Sequence, residues 1–75
     1  MEHTYFLFDA NGNFYLEDQF AGDIGFNNWI IRHKFPMSHI VIFTTNPKSE
    51  HAFAANRTDA ERMAIDYATC GRIEY

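Results

Sequence analysis

Cysteine is nearly missing from this chain: Cys70 stands alone among 75 residues. A single thiol can close neither an intramolecular disulfide nor a thiolate zinc site. It suits a reducing compartment, so a cytoplasmic protein is expected. Long apolar runs are missing as well, and no charged-then-apolar leader opens the sequence; neither a membrane span nor an export signal is expected. Lysine and arginine are absent from the first 31 residues, which carry Glu2, Asp9, Glu17, Asp18 and Asp23. With a formal net charge of −4, direct nucleic-acid binding is not expected, because phosphate neutralisation needs clustered bases. Repeats, low-complexity runs and linkers are also lacking. Residues 1–75 read as a single compact domain.

Aromatic residues are what the chain has in quantity. Eight Phe, four Tyr and one Trp make 17% of the sequence, within a hydrophobic fraction of 47%. That is too rich for a disordered acidic segment. It is also more than one small core readily hides. A homodimer is therefore expected, joined by a sheet edge or around Trp29.

The stretch DANGNFYLED, residues 9–18, has the spacing of the first ligands of a calcium loop, with Asp9, Asn11 and Asn13 alternating. The rest of that pattern fails. Position 6 would be Phe14 where glycine is needed, and position 12 would be Phe20 where a bidentate Glu is needed. A hairpin fits better, with Ala10, Asn11 and Gly12 as a three-residue loop and Gly12 at positive φ. The expected register sets Phe8 opposite Phe14 and Phe6 opposite Leu16 on an apolar face. Leu7 then opposes Tyr15, and Tyr5 opposes Glu17.

Further along, DIGFNNWIIRHKF reads as a helix with Asp23 as N-cap, a stripe of Ile24, Ile31 and Phe35, and Pro36 as its stop. SHIVIFTT, residues 38–45, is β-branched and aromatic on both faces, as in a central strand covered twice. NPKS reads as a type I turn. EHAFAAN then returns as an antiparallel partner, giving a second hairpin over residues 38–56, and Ala52, Ala54 and Ala55 leave room for close packing. Thr58 with Glu61 reads as a capping box for a helix through Ala60, Met63, Ala64, Tyr67 and Ala68. Gly71 is its stop, and RIEY is a last strand. The order β-β-α-β-β-α-β implies an α+β fold: a small, mainly antiparallel sheet from two hairpins plus a C-terminal strand, with one or two helices on one face.

No motif of catalysis or metal binding is present. His3, His33, His39 and His51 lack ligand spacing, and the second hairpin would keep His39 and His51 apart. Cys70 falls at a helix C-terminus, where the dipole disfavours thiolate. Ser38 and Ser49 lack a nucleophile elbow, and GDIG is not a phosphate loop. Glu17 and Asp18 are adjacent on a strand and so point to opposite faces. No catalytic residue, metal or cofactor is expected, and the chain does not read as an enzyme.

What remains is the interleaving of acids and aromatics in YLEDQF and DIGFNNW. Tyr15, Glu17, Asp18, Phe20, Asp23 and Trp29 are the expected partner-binding residues: rings as desolvated anchors, acids steering toward a basic protein surface. In size, charge and build the chain is similar to small accessory proteins of phages and mobile elements, a likeness that rests on no motif. Such proteins often inhibit a host or defence protein by occupying its nucleic-acid-binding groove, which implies a non-enzymatic inhibitor. The alternative class is a small-ligand or nucleotide-binding oligomeric module, or a small enzyme with a site between subunits.

Overall fold

The computed structural model describes residues 2–35 and 39–71. The expected final strand, RIEY at 72–75, lies outside them, as do Pro36 and Ser38. Strands β1 (His3–Asp9) and β2 (Phe14–Phe20) precede helix α1 (Asp23–Arg32). Strands β3 (Ile40–Thr44) and β4 (Ala52–Phe53), helix α2 (Arg57–Asp66) and a π-helical turn (Tyr67–Gly71) follow. The fold is α+β: a four-stranded mixed sheet in the order β2-β1-β3-β4, with two helices. Among the described residues, no helix is long and apolar enough to cross a membrane.

Strand β1 lies in the middle of the molecule because its residues are apolar on both faces, and alternate side chains serve different layers. Phe6 and Phe8 pack with Phe43, Ala54, Ala60 and Ala64 under α2. Tyr5 and Leu7 pack with Phe26 and Ile30 under α1. The helices thus cover opposite faces of the sheet, where one shared face was expected. Ala60 and Ala64 bring α2 close to the strands. Of the alanines at 52, 54 and 55, only Ala54 is buried.

The first hairpin has the expected loop. Asp9 and Asn13 are joined by the Asp9 N–H donating to the Asn13 carbonyl at 2.9 Å, and Gly12 N–H donates to the Asp9 carbonyl at 3.1 Å. Gly12 has φ of +87°. Asp9 accepts from the backbone N–H groups of Asn11 and Asn13 at 2.9 Å each, and from the Asn13 amide at 3.1 Å. Its carboxylate is therefore committed to the turn. Those backbone bonds, Asn13 foremost, hold its pKa below the usual carboxylate value.

The register departs from expectation one residue later. Phe8 opposes Phe14, but a bulge then sets Leu7 opposite Leu16, Phe6 opposite Glu17 and Tyr5 opposite Asp18. The extra residue is absorbed at Tyr15. Leu16 thereby joins the α1 side, and Glu17 the α2 side.

The second hairpin does not form. β3 pairs antiparallel with β1, and β4 pairs parallel with β3, with Phe43 opposite Ala52 and Thr44 opposite Phe53. A parallel pair normally needs a long crossover. Here the connection is residues 45–51, and two paired residues suffice because the loop is tied down elsewhere, as described below.

Helix α1 starts with Gly22 as N-cap and Asp23 as its first residue. The expected stripe is wrong: Ile24 and Ile31 are exposed, while Phe26 and Ile30 are buried. The helix ends before Pro36. Lys34 N–H donates to the Ile31 carbonyl at 3.1 Å and Phe35 N–H to that of Ile30 at 3.3 Å, with Lys34 at φ of +59°. That is a Schellman stop with lysine in the left-handed position. At α2 the cap is Asn56, whose side chain accepts from Asp59 N–H at 2.9 Å, rather than Thr58. The helix thus starts two residues, about half a turn, earlier than expected; Ala60 and Ala64 are buried and Tyr67 is half exposed.

Candidate functional site

Two groups of side chains stand out, one aromatic and one polar. The aromatic group begins at the sheet edge. Tyr15 lies edge-on to Phe35, with ring centroids 5.4 Å apart. Phe35 is 5.3 Å from Trp29, and Trp29 is 5.5 Å from Phe20. His33 adds a ring 4.6 Å from Trp29. The Schellman stop makes this row, because it turns the chain so that Phe35 folds back beside Trp29. Tyr15, Phe20 and Trp29 are thus brought together as expected, and Phe35 joins them unforeseen.

The acids separate. Asp18 shares the sheet face of Tyr5 and is exposed beside the aromatic row, its Oδ1 accepting only from Gln19 N–H among its hydrogen bonds, at 2.8 Å. Glu17 turns to the α2 side, where its Oε1 is 3.5 Å from Arg57 Nη1. The Arg57 guanidinium stacks 3.8 Å above the Phe14 ring and also donates to Glu61 at 3.0 Å. Both ends of the Glu17–Arg57 pair are about half exposed, so it contributes at most a few tenths of a kcal/mol to about 1 kcal/mol.

Asp23 is drawn inward, into the polar group. Its Oδ1 accepts from the Tyr5 hydroxyl at 2.8 Å and from the Ser49 hydroxyl at 2.6 Å. Its Oδ2 accepts from the Glu50 backbone N–H at 2.8 Å. Ser49 Oγ in turn accepts from His51 N–H at 2.9 Å, and Asn46 Nδ2 donates to the Tyr5 hydroxyl oxygen at 3.4 Å. One carboxylate at the start of α1 therefore ties down the loop that makes β4 run parallel. Partial burial pushes its pKa up. The bonds from Ser49, Glu50 and Tyr5, with the field of His51, outweigh that and hold it below the usual carboxylate value. Burial pushes the Tyr5 phenol up, and its neighbour Asp23 adds to the rise.

This polar group also contains Asp, Ser and His, but not in the order of a nucleophilic relay. Activation of a serine needs its hydroxyl proton to face the histidine. Here that proton goes to Asp23, and the His51 ring lies beside Asn27, Nε2 to Oδ1 at 3.3 Å. Sequence reasoning missed Tyr5, Asn46, Ser49 and His51 as one constellation. Their bonds to or around Asp23 join residues far apart in the chain, and no local spacing encodes them. The antiparallel hairpin expected for residues 38–56 also carried His51 the wrong way.

Comparison of the chain with protein-family models, with curated proteins and with solved structures finds no match.

Proposed function

We propose that this chain is a non-enzymatic binding protein that takes a basic, extended segment of a partner protein along the outer edge of β2. In doing so it would cover a surface the partner uses for nucleic acid, which is how small inhibitory accessory proteins of phages and mobile elements often act. The observation that carries the reading is the composition of that edge. β2 ends the sheet order, so among the described residues no strand lies beside its outer backbone groups. Glu17 and Asp18 sit at its centre, and the row Tyr15, Phe35, Trp29 and Phe20 runs along its α1 side. An added strand gains main-chain hydrogen bonds, and specificity comes from alternate side chains. Arginines on the incoming segment would meet Asp18 while a ring covers the guanidinium stem. Of the three acids expected to steer, Asp18 is the one free to do so.

The self-association expected from the aromatic content belongs, in this reading, on the outer face of α1, where Ile24 and Ile31 are exposed two turns apart. Pairing β2 with its own copy would set Glu17 and Asp18 against like charges, which is unfavourable. Sedimentation equilibrium at micromolar concentration should show a dimer. A clean monomer of 8.8 kDa would remove this part of the proposal.

Trp29 is the single tryptophan and reports on the face directly. Its emission should change on titration with a short alternating arginine–valine peptide and stay constant with a glutamate–valine peptide. Added salt should weaken the response, since exposed charges are screened within about 8 Å at physiological ionic strength. Asp18→Lys should abolish it. An equal response in wild type and Asp18→Lys, or none to the arginine peptide, would overturn the reading.

A further inference from the structure

We propose that Asp23, Glu50 and His51 form a site for a divalent transition metal of the zinc or cobalt class, clamping the 45–51 loop to the first turn of α1. Each residue offers one ligand atom, and these atoms all lie within 4.8 Å of one another. Tetrahedral bonds near 2.0–2.2 Å put donors about 3.3–3.6 Å apart, so closure asks for shifts of up to roughly an ångström. Glu50 is exposed, so its side chain is free to supply its share of that movement.

The donor chemistry fits. One imidazole and two carboxylates are borderline to hard ligands, suited to zinc, cobalt or manganese and unsuited to copper(I). Two negative charges balance a divalent ion. Asp23 has room for a further bond: Oδ1 already accepts two hydrogen bonds and Oδ2 only one, and each oxygen carries two lone pairs. The bonds from Tyr5 and Ser49 to Oδ1 orient the carboxylate, as outer-shell partners do for metal ligands. The His51 ring is held as well, edge-on to Phe26 at 5.4 Å and to Tyr5 at 6.4 Å, with Asn27 beside it. Asp23 and His51 are half-buried and Glu50 is exposed, so an ion can enter from solvent. The three ligands come from two elements that no covalent link closes. An ion bound there would stabilise the folded state by linkage, since the unfolded chain offers no such site.

The test uses zinc chloride alone with the 75-residue chain. Thermal unfolding should shift upward saturably, and calorimetry should give one ion per chain. Cobalt should give a visible absorption band at the same stoichiometry. Glu50→Gln and His51→Ala should each weaken zinc binding by at least about tenfold, and both should change the cobalt spectrum. Replacing His33, an exposed imidazole outside the cluster, should leave affinity unchanged. Because Glu50 is exposed, Glu50→Gln stays folded and decides the matter even if His51→Ala does not. No saturable stabilisation, or equal zinc affinity in wild type and Glu50→Gln, overturns the proposal. Neither outcome bears on the β2 edge.

Discussion

Among the described residues two occupy left-handed backbone, and they call for opposite changes. Gly12, at φ of +87°, needs to be glycine. An added Cβ would also meet the Ala64 carbonyl oxygen and Ile65 Cα at 3.3 Å, because the hairpin tip rests on α2. Gly12→Val should cost roughly 1–2 kcal/mol in urea unfolding through backbone strain, and the contact adds to it. Lys34, at φ of +59°, is a lysine where glycine is easier. Lys34→Gly should stabilise by about 1 kcal/mol in the same assay. Asp23 supplies the pH dependence. Its pKa is lower folded than the ordinary 3.8, so its contribution is complete above that value and is lost as pH falls through the folded pKa. Asp23→Asn should start less stable at neutral pH, by about 2 kcal/mol for the weakened bonds, and should lose less on acidification. A parallel pH profile for the two proteins would contradict the role assigned to Asp23.

At the scale of elements, what depended on neighbouring residues was legible. The hairpin loop follows from Asn11 and Gly12 with Asp9 before them, and both helices lie where their periodic segments are. What depended on distant residues was not. The bulge at Tyr15 follows from the demand that Leu16 rather than Tyr15 stand opposite Leu7 in the α1 layer, which no hairpin rule contains. The helix stripe failed because Ile24 and Ile31 satisfy helical spacing as well as Phe26 and Ile30 do, and only the sheet decides between them. The parallel β4 depends on Asp23 reaching Ser49 and Glu50. These assignments separate cleanly in stability measurements. Phe26→Ala should cost about 3–5 kcal/mol, enough to unfold much of so small a domain. Ile24→Ala and Ile31→Ala should change the stability of the monomer by no more than about 0.5 kcal/mol. At α2, Asn56→Ala should cost about 1 kcal/mol, and Thr58→Ala less, because Asn56 is the cap.

At the scale of the whole molecule, the described residues form a sheet covered by one helix on each face, and the two edges of that sheet are unlike. β4 offers an edge of two residues, whereas β2 offers seven. Acidic residues at the centre of a long edge protect it from pairing with its own copy, and in the proposed function the same charges would select a basic strand. That is how the fold connects to the proposed activity: the layers bury β1, leaving β2 and the aromatic row beside it as the proposed surface of recognition. The polar cluster around Asp23 then serves to hold α1, and with it Trp29, at a fixed distance from that edge. Amide hydrogen exchange, followed residue by residue with and without the arginine–valine peptide, tests this most directly. The account predicts added protection confined to the outward-facing amides of Phe14–Phe20, alternating along the strand, and none at β4. Protection spread over α1 alone, or no change at β2 under conditions where Trp29 reports binding, would contradict it.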